Sequence, residues 1–166
     1  MPLPRWVPAY VALGSNLDDP RAQVEGALAA LADLPDTRLV LCSSLYRTRP
    51  FGPVAQPDFV NAVAGVLTQL DPAALLAQLK ALEARLGRER PVLRWGPRRI
   101  DLDLLVHGAA RIAEPELEVP HPGVAERAFV LVPLAEIAPD LAVPGRGRVR
   151  DLLVRVDSTD LERLAA

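Results

Sequence analysis

The sequence predicts an α+β fold: a ferredoxin-like βαββαβ core, an antiparallel sheet with helices packed on one face, and additions after the core. Three observations predict it. Strand-length apolar segments alternate with two longer stretches of helical period, in the order strand, helix, strand, strand, helix, strand. Both helical stretches open on an acid followed by proline, at Asp18-Asp19-Pro20 and at Asp71-Pro72, the arrangement of a capping side chain and a first-turn proline. Finally, Ile100, Leu102, Leu104 and Val106 alternate with Asp101, Asp103 and Leu105, the period of a strand that buries one row of side chains. At 166 residues, half of them apolar, residues 1–166 have the size of one domain around one core.

In order, Tyr10 to Leu13 reads as a first strand ending at the turn Gly14-Ser15-Asn16. Val24, Ala27, Leu28 and Leu31 then recur at helical spacing, and the helix stops by Pro35. Thr37 to Tyr46 is the second strand. Arg47-Thr48-Arg49-Pro50-Phe51-Gly52-Pro53 follows as a loop, because prolines bring no N–H to a ladder. Phe59 to Leu67 is the third strand, with Phe59, Asn61 and Val63 on one face and Val60, Ala62 and Ala64 on the other. Leu75, Leu79, Leu82 and Leu86 form the stripe of the second helix, and Gly87 suits the position after its end. After the strand Ile100 to Val106, Arg111 to Val119 makes a short ribbon, Ala128 to Leu131 another strand and Pro133 to Ile137 a short helix, before a turn at Pro144-Gly145-Arg146-Gly147-Arg148 and a short amphipathic tail.

Net charge is −2, which argues against a nucleic-acid binder with a generally basic surface. The single Cys42 has no internal disulfide partner and no Cys/His group has zinc spacing, which fits a reducing cytoplasm. Neither a signal peptide nor a membrane-length apolar run is present. The chain is expected to be cytoplasmic and monomeric, to work on small molecules without nucleic acid or membrane, and to leave no room for a fused second enzyme.

The chemistry concentrates between Arg88 and Asp103. On a strand, Asp101 and Asp103 share one face with Cα atoms about 6.6 Å apart, so their carboxylates can converge on hard cations. Immediately upstream, Arg88, Arg90, Arg94, Arg98 and Arg99 face only Glu89 as an opposing acid, and guanidinium groups match phosphate oxygens bidentately without losing charge. Acids for a metal beside arginines for oxygens describe a site for a metal-chelated polyphosphate. The segment from Gly87 to Pro97 is long for a connection in a compact domain, which suggests a loop that closes over the phosphates. No Gly-x-x-x-x-Gly-Lys-Ser/Thr is present, so arginines and metal must replace a backbone phosphate cradle.

The run Arg94-Trp95-Gly96-Pro97-Arg98-Arg99-Ile100-Asp101-Leu102-Asp103 closely resembles the signature of the 6-hydroxymethyl-7,8-dihydropterin pyrophosphokinase family, folate-pathway enzymes that move a pyrophosphoryl group from ATP to a pterin alcohol. Further matches follow from Tyr10 to about Leu141. The resemblance implies a pterin pocket in which Thr48, Arg49 and Phe51 touch the pterin, Asn61 reads its amide edge, Phe59 and Phe129 flank its ring, and Trp95 presses from the loop side. Phe59 stands where the family often has tyrosine. The resemblance further implies that Glu83, Arg88, Arg90, Arg98, Ile100, His121 and Arg127 bind ATP, the co-substrate. Asp101 and Asp103 would hold two Mg²⁺ ions, and with Arg88 and Arg98 form the catalytic group. The pterin hydroxymethyl oxygen would attack the β-phosphorus, with AMP leaving. No general base is evident, although Asp103 is placed to serve.

Two other readings use parts of the same pattern. A ligand-binding module of this fold leaves the Asp pair unexplained. A metal-dependent nuclease or polymerase-like domain also pairs acids, but calls for a broad basic groove.

Overall fold

The computed structural model describes residues 5–50, 52–87 and 99–166. Strand β1 (Val7–Ser15) leads into helix α1 (Pro20–Leu31), followed by β2 (Thr37–Cys42), β3 (Tyr46–Thr48), β4 (Phe59–Thr68), α2 (Pro72–Arg85) and β5 (Asp101–His107). A hairpin of β6 (Ile112–Glu114) and β7 (Leu117–Val119), helix α3 (Ala128–Ile137), a hairpin of β8 (Ala142–Val143) and β9 (Gly147–Arg148), helix α4 (Val149–Leu153) and β10 (Glu162–Arg163) complete the described elements. The main sheet is antiparallel in order β10-β3-β4-β1-β5, with β2 also paired to β4.

Both long helices start as the sequence predicts. Asp19 Oδ1 accepts from Ala22 N at 3.3 Å and Asp71 Oδ1 from Ala74 N at 2.7 Å, each satisfying one of the donors a helix start leaves open. Gly87 follows α2 with φ +94°, and a Cβ there would lie 2.5 Å from Arg99 Nη1. That guanidinium donates to the Gly87 carbonyl and to Asp18 Oδ2, fastening the end of α2 to the turn before α1. Arg99, counted by composition with the anion-binding arginines, is therefore engaged in a protein clasp.

The predicted second strand is two strands. β2 and β3 lie along the same edge of β4, and Ser43 bridges the break: its N–H donates to Val63 O while its Oγ accepts from Val63 N, both at 2.9 Å. A side chain thus stands in for a ladder carbonyl. Pairing then resumes through Thr48, opposite Phe59, so Thr48 sits on a strand and not in the expected loop; the prolines end the ladder only after it.

Alternation divides the sheet into two faces. Ala9, Val11, Leu13, Val60, Ala62, Ala64, Val66, Leu102 and Leu104 pack with Val24, Ala27, Leu31, Leu75, Leu79 and Leu82 of α1 and α2. The residues between them, including Tyr10, Ala12, Val63, Leu105 and Val106, meet Val130, Leu131 and Leu134 of α3 and Val149 and Leu152 of α4. Helices therefore cover both faces, a correction to the one-faced layer expected. The source of the difference is Ala128–Leu131, which is the first turn of α3 and not a strand. A short apolar run does not reveal its period; here burial against the second face selects the helix, with Pro133 tolerated within it.

β5 is an edge strand, yet its outer side is occupied. Glu83 Oε1, from a side chain 1% exposed on α2, accepts from Leu102 N at 2.8 Å, and His121 N donates to Leu105 O at 2.8 Å. Among the described residues, no helix is long and apolar enough to cross a membrane.

Candidate active site

A cavity of about 230 Å³ opens on the sheet face that carries α3. Its floor consists of Ala12 and Gly14 of β1, Phe59 and Asn61 of β4, and Asp101, Asp103 and Leu105 of β5, all on the face opposite α1 and α2. His121, Arg127, Phe129 and Val130 line the helix side, with Thr48 and Arg49 at the end of β3. Residues more than 100 positions apart converge because β1, β4 and β5 are neighbours and α3 returns over them.

Nine of the residues expected in the site thus line one cavity: Thr48, Arg49, Phe59, Asn61, Asp101, Asp103, His121, Arg127 and Phe129. Phe51, Arg88, Arg90, Trp95 and Arg98, together with the closing loop expected at 88–97, lie outside the described residues. Two others sit elsewhere. Ile100 is fully buried in the core under α1 and α2, leaving its backbone as the part able to meet a ligand. Glu83 is not the surface acid its composition suggests, but is buried between α2 and β5, where it holds the amide between the two cavity aspartates.

Asn61 is held in place at both ends of its amide. Its Nδ2 donates to Thr48 Oγ1 at 2.7 Å, and a Cβ on Gly14 would come within 2.7 Å of its Oδ1. Only glycine at 14 lets that amide lie across β1. Asn16, 1% exposed, donates from Nδ2 to Gln56 Oε1 and to Pro57 O, each at 2.9 Å, pinning the approach to β4 against the residue that follows β1. Gly14 and Ser15, expected as a turn, are instead the last two residues of β1, because β4 extends far enough to pair Asn61 and Val60 with them.

His121 Nδ1 accepts from Gly123 N at 3.0 Å, which leaves Nε2 to carry the ring hydrogen. Burial pulls its pKa below the ordinary histidine value; Asp103 opposes that shift and Arg127 reinforces it. The ring is accordingly neutral at pH 7 and offers one donor. Arg127 lies 5.8 Å from the Phe129 ring centroid, and the absence of a side chain at Gly123 makes room for its guanidinium.

The donor set can be tested against a divalent ion. Among the described residues no three His, Cys, Asp or Glu side chains form a metal-holding group. Two aspartates at alternate positions of one strand, both half-buried and lining the cavity, remain. That is too few for a protein-made cage, but it fits Mg²⁺, which commonly takes one or two carboxylates and completes its shell with water and substrate phosphates.

Comparison with known proteins gives the decisive result: a sequence model of the 7,8-dihydro-6-hydroxymethylpterin-pyrophosphokinase (HPPK) family matches residues 10–139. The chain belongs to this family. Among similar HPPK sequences, the 2-amino-4-hydroxy-6-hydroxymethyldihydropteridine pyrophosphokinase of Pseudomonas aeruginosa is 50% identical over 155 residues, covering 93% of this chain and 95% of the relative. The enzyme of the same name from Methylorubrum extorquens is 47% identical over 156 residues, covering 94% and 98%. In fold, the chain is similar to a Plasmodium falciparum HPPK-DHPS protein crystallised with pteroate, with TM-score 0.77 at 14% identity over the whole of this chain. The chain spans 48% of that longer protein, so the likeness concerns its architecture alone.

Proposed function

We propose that this cavity is where the HPPK reaction takes place: transfer of pyrophosphate from ATP to 6-hydroxymethyl-7,8-dihydropterin, giving the pterin diphosphate and AMP in folate biosynthesis. Family membership supports the activity. The observation that carries the assignment to this site is that two metal-suited carboxylates share one cavity with an amide, two aromatic rings and a cationic wall.

The pterin occupies the end built by β3 and β4. Asn61, fixed by Thr48 and Gly14, presents its amide to the heterocycle edge, while Phe59 and Phe129 offer aromatic faces. ATP lies toward β5, where neutral His121 donates from Nε2 and Arg127 attracts phosphate oxygens. Asp101 and Asp103 hold two Mg²⁺ ions there. When bound, those ions supply positive charge to the phosphate chain and help align it for in-line displacement. The protein's part is to fix both substrates so that the hydroxymethyl oxygen faces the β-phosphorus, which replaces a bimolecular encounter by a positioned one. Arg88 and Arg98 neutralise charge on the transferred group, and Arg90 binds nucleotide; Trp95 and Phe51 complete the pterin side.

We also read the core as ferredoxin-like, on the strand order β2-β4-β1-β5 with α1 and α2 on one face, and residues 1–166 as one domain, monomeric and cytoplasmic. Incubation with ATP, Mg²⁺ and the reduced pterin tests the function. AMP forming in step with the pterin diphosphate is the expected result; ADP, or no nucleotide product, overturns it. A binding module without catalysis would give the latter.

A further inference from the structure

The cavity floor belongs to three successive strands of the sheet, β4-β1-β5, but two of its sides do not. Thr48 comes from β3, and Phe129 from α3. One side chain joins those two sides away from any substrate. Glu136, seven residues or about two turns beyond Phe129 on α3, accepts from Ser44 N at 3.0 and 3.1 Å, from Ser44 Oγ at 2.9 Å and from Tyr46 OH at 2.5 Å. Tyr46 is 6% exposed and stands two residues before Thr48, hence on the same face of β3. Thr48 in turn accepts from Asn61. A path of contacts therefore runs from α3 through Glu136 to Tyr46, along the β3 backbone to Thr48, and from Thr48 to the amide in the cavity.

We propose that Glu136 is a positioning residue for the pterin end of the site, setting the separation between the strand that carries Thr48 and the helix that carries Phe129. The contact is built as a hub. Arg163 of β10 approaches Glu136 Oε2 at 3.8 Å, while β10 itself pairs with β3 and Arg47 meets Glu162 at 3.6 Å. The C-terminal segment thus braces the same strand from outside. Burial, with Glu136 beside it, pushes the Tyr46 hydroxyl up to about 12. For Glu136, burial acts to raise the pKa, but hydrogen bonds from Tyr46 and Ser44 outweigh it and hold the carboxyl below its usual value. The acceptor is therefore ionised at neutral pH, and charge-assisted hydrogen bonds hold their geometry better than neutral ones. These contacts lie behind the cavity wall and reach it through Thr48 and Phe129, which line the end assigned above to the pterin, so the inference rests on that assignment.

The test is steady-state kinetics on the full chain, varying pterin and ATP separately, at a temperature well below each variant's Tm. Glu136→Ala is expected to raise the KM for the pterin about tenfold, since small displacements of positioning groups cost this much or more, with kcat and the KM for ATP within about twofold. Tyr46→Phe, which deletes one donor, shifts the same constant less and keeps the test available if Glu136→Ala does not fold. Glu136→Gln, still an acceptor, restores part of the loss. Thr68→Val, which breaks the Thr37–Thr68 hydrogen bond at the other end of the sheet, controls for general destabilisation and leaves the pterin KM unchanged. Unaltered pterin KM in Glu136→Ala and Tyr46→Phe, or equal loss toward both substrates, overturns the proposal. Asn61→Ala separates the two claims: if it too leaves pterin KM unchanged, the pterin assignment itself fails, whereas a rise confined to Asn61→Ala removes Glu136 alone.

Discussion

The two faces of the sheet are made from the same strands and do opposite things. On the α1/α2 face, Ala62, Leu102 and Leu104 are buried in the core cluster that includes the helix side chains. On the other face, their neighbours Gly14, Asn61, Asp101 and Asp103 line a cavity that Phe129 and Val130 of α3 share, while α3 and α4 pack directly around Val63 and Val106. The first face is filled by the core, and the second carries the cavity to which the reaction is assigned in our proposal. A strand's period of two lets both functions occupy one segment without mixing, provided the register does not slip.

That contrast can be broken most severely at Asp103. Asp103→Ala should lower turnover by on the order of 10³-fold, the size of effect seen when a group neutralising phosphoryl charge is lost, while Tm stays within a few degrees of the wild type. Coupled detection of AMP together with a thermal melt reads both quantities. If turnover stayed near normal, the metal assignment would be wrong. One residue earlier the outcome should invert: Leu102→Ala leaves a cavity in the sealed core and should cost about 2–5 kcal/mol in denaturant unfolding, with the kcat of the folded fraction little changed. Loss of activity without loss of stability would show that the faces are not separable. A subtler probe is Gly14→Ala, which sets a methyl group where Asn61 Oδ1 now lies. Raised pterin KM, by roughly tenfold, with ATP KM unaffected is expected from displacement of that amide; an unchanged value would mean that Asn61 does not read the substrate.

Much of this division was legible in the chain. The alternation around Asp101 and Asp103 places both acids on one face, the acid-proline pairs mark both helix starts, and Phe59 and Asn61 fall on one face of their strand, which the sheet then turns to the acids' side. What escaped has a common physical origin in tertiary packing. Ala128–Leu131 is equally good as strand or helix until a sheet face needs covering. Thr48 becomes a strand residue because β4 extends far enough to pair with it. Glu136 looks like any surface acid, because its partners lie 90 and 92 positions away and no local pattern connects them. Glu83 is similar: its partner is the Leu102 backbone amide, a kind of group that every sequence position has and none advertises.

Among the described residues, the strand bearing Asp101 and Asp103 has a sheet neighbour on one flank only. Bare flanks of this kind invite adhesion by other chains, and proteins protect them by covering or charging them. Here a buried carboxylate from α2 and the backbone of the turn at His121 take up amide and carbonyl positions along that flank. The same two groups that guard the strand against unwanted association also keep it a border of the sheet, so its two aspartates stay at the margin of the layer instead of being enclosed by a further strand.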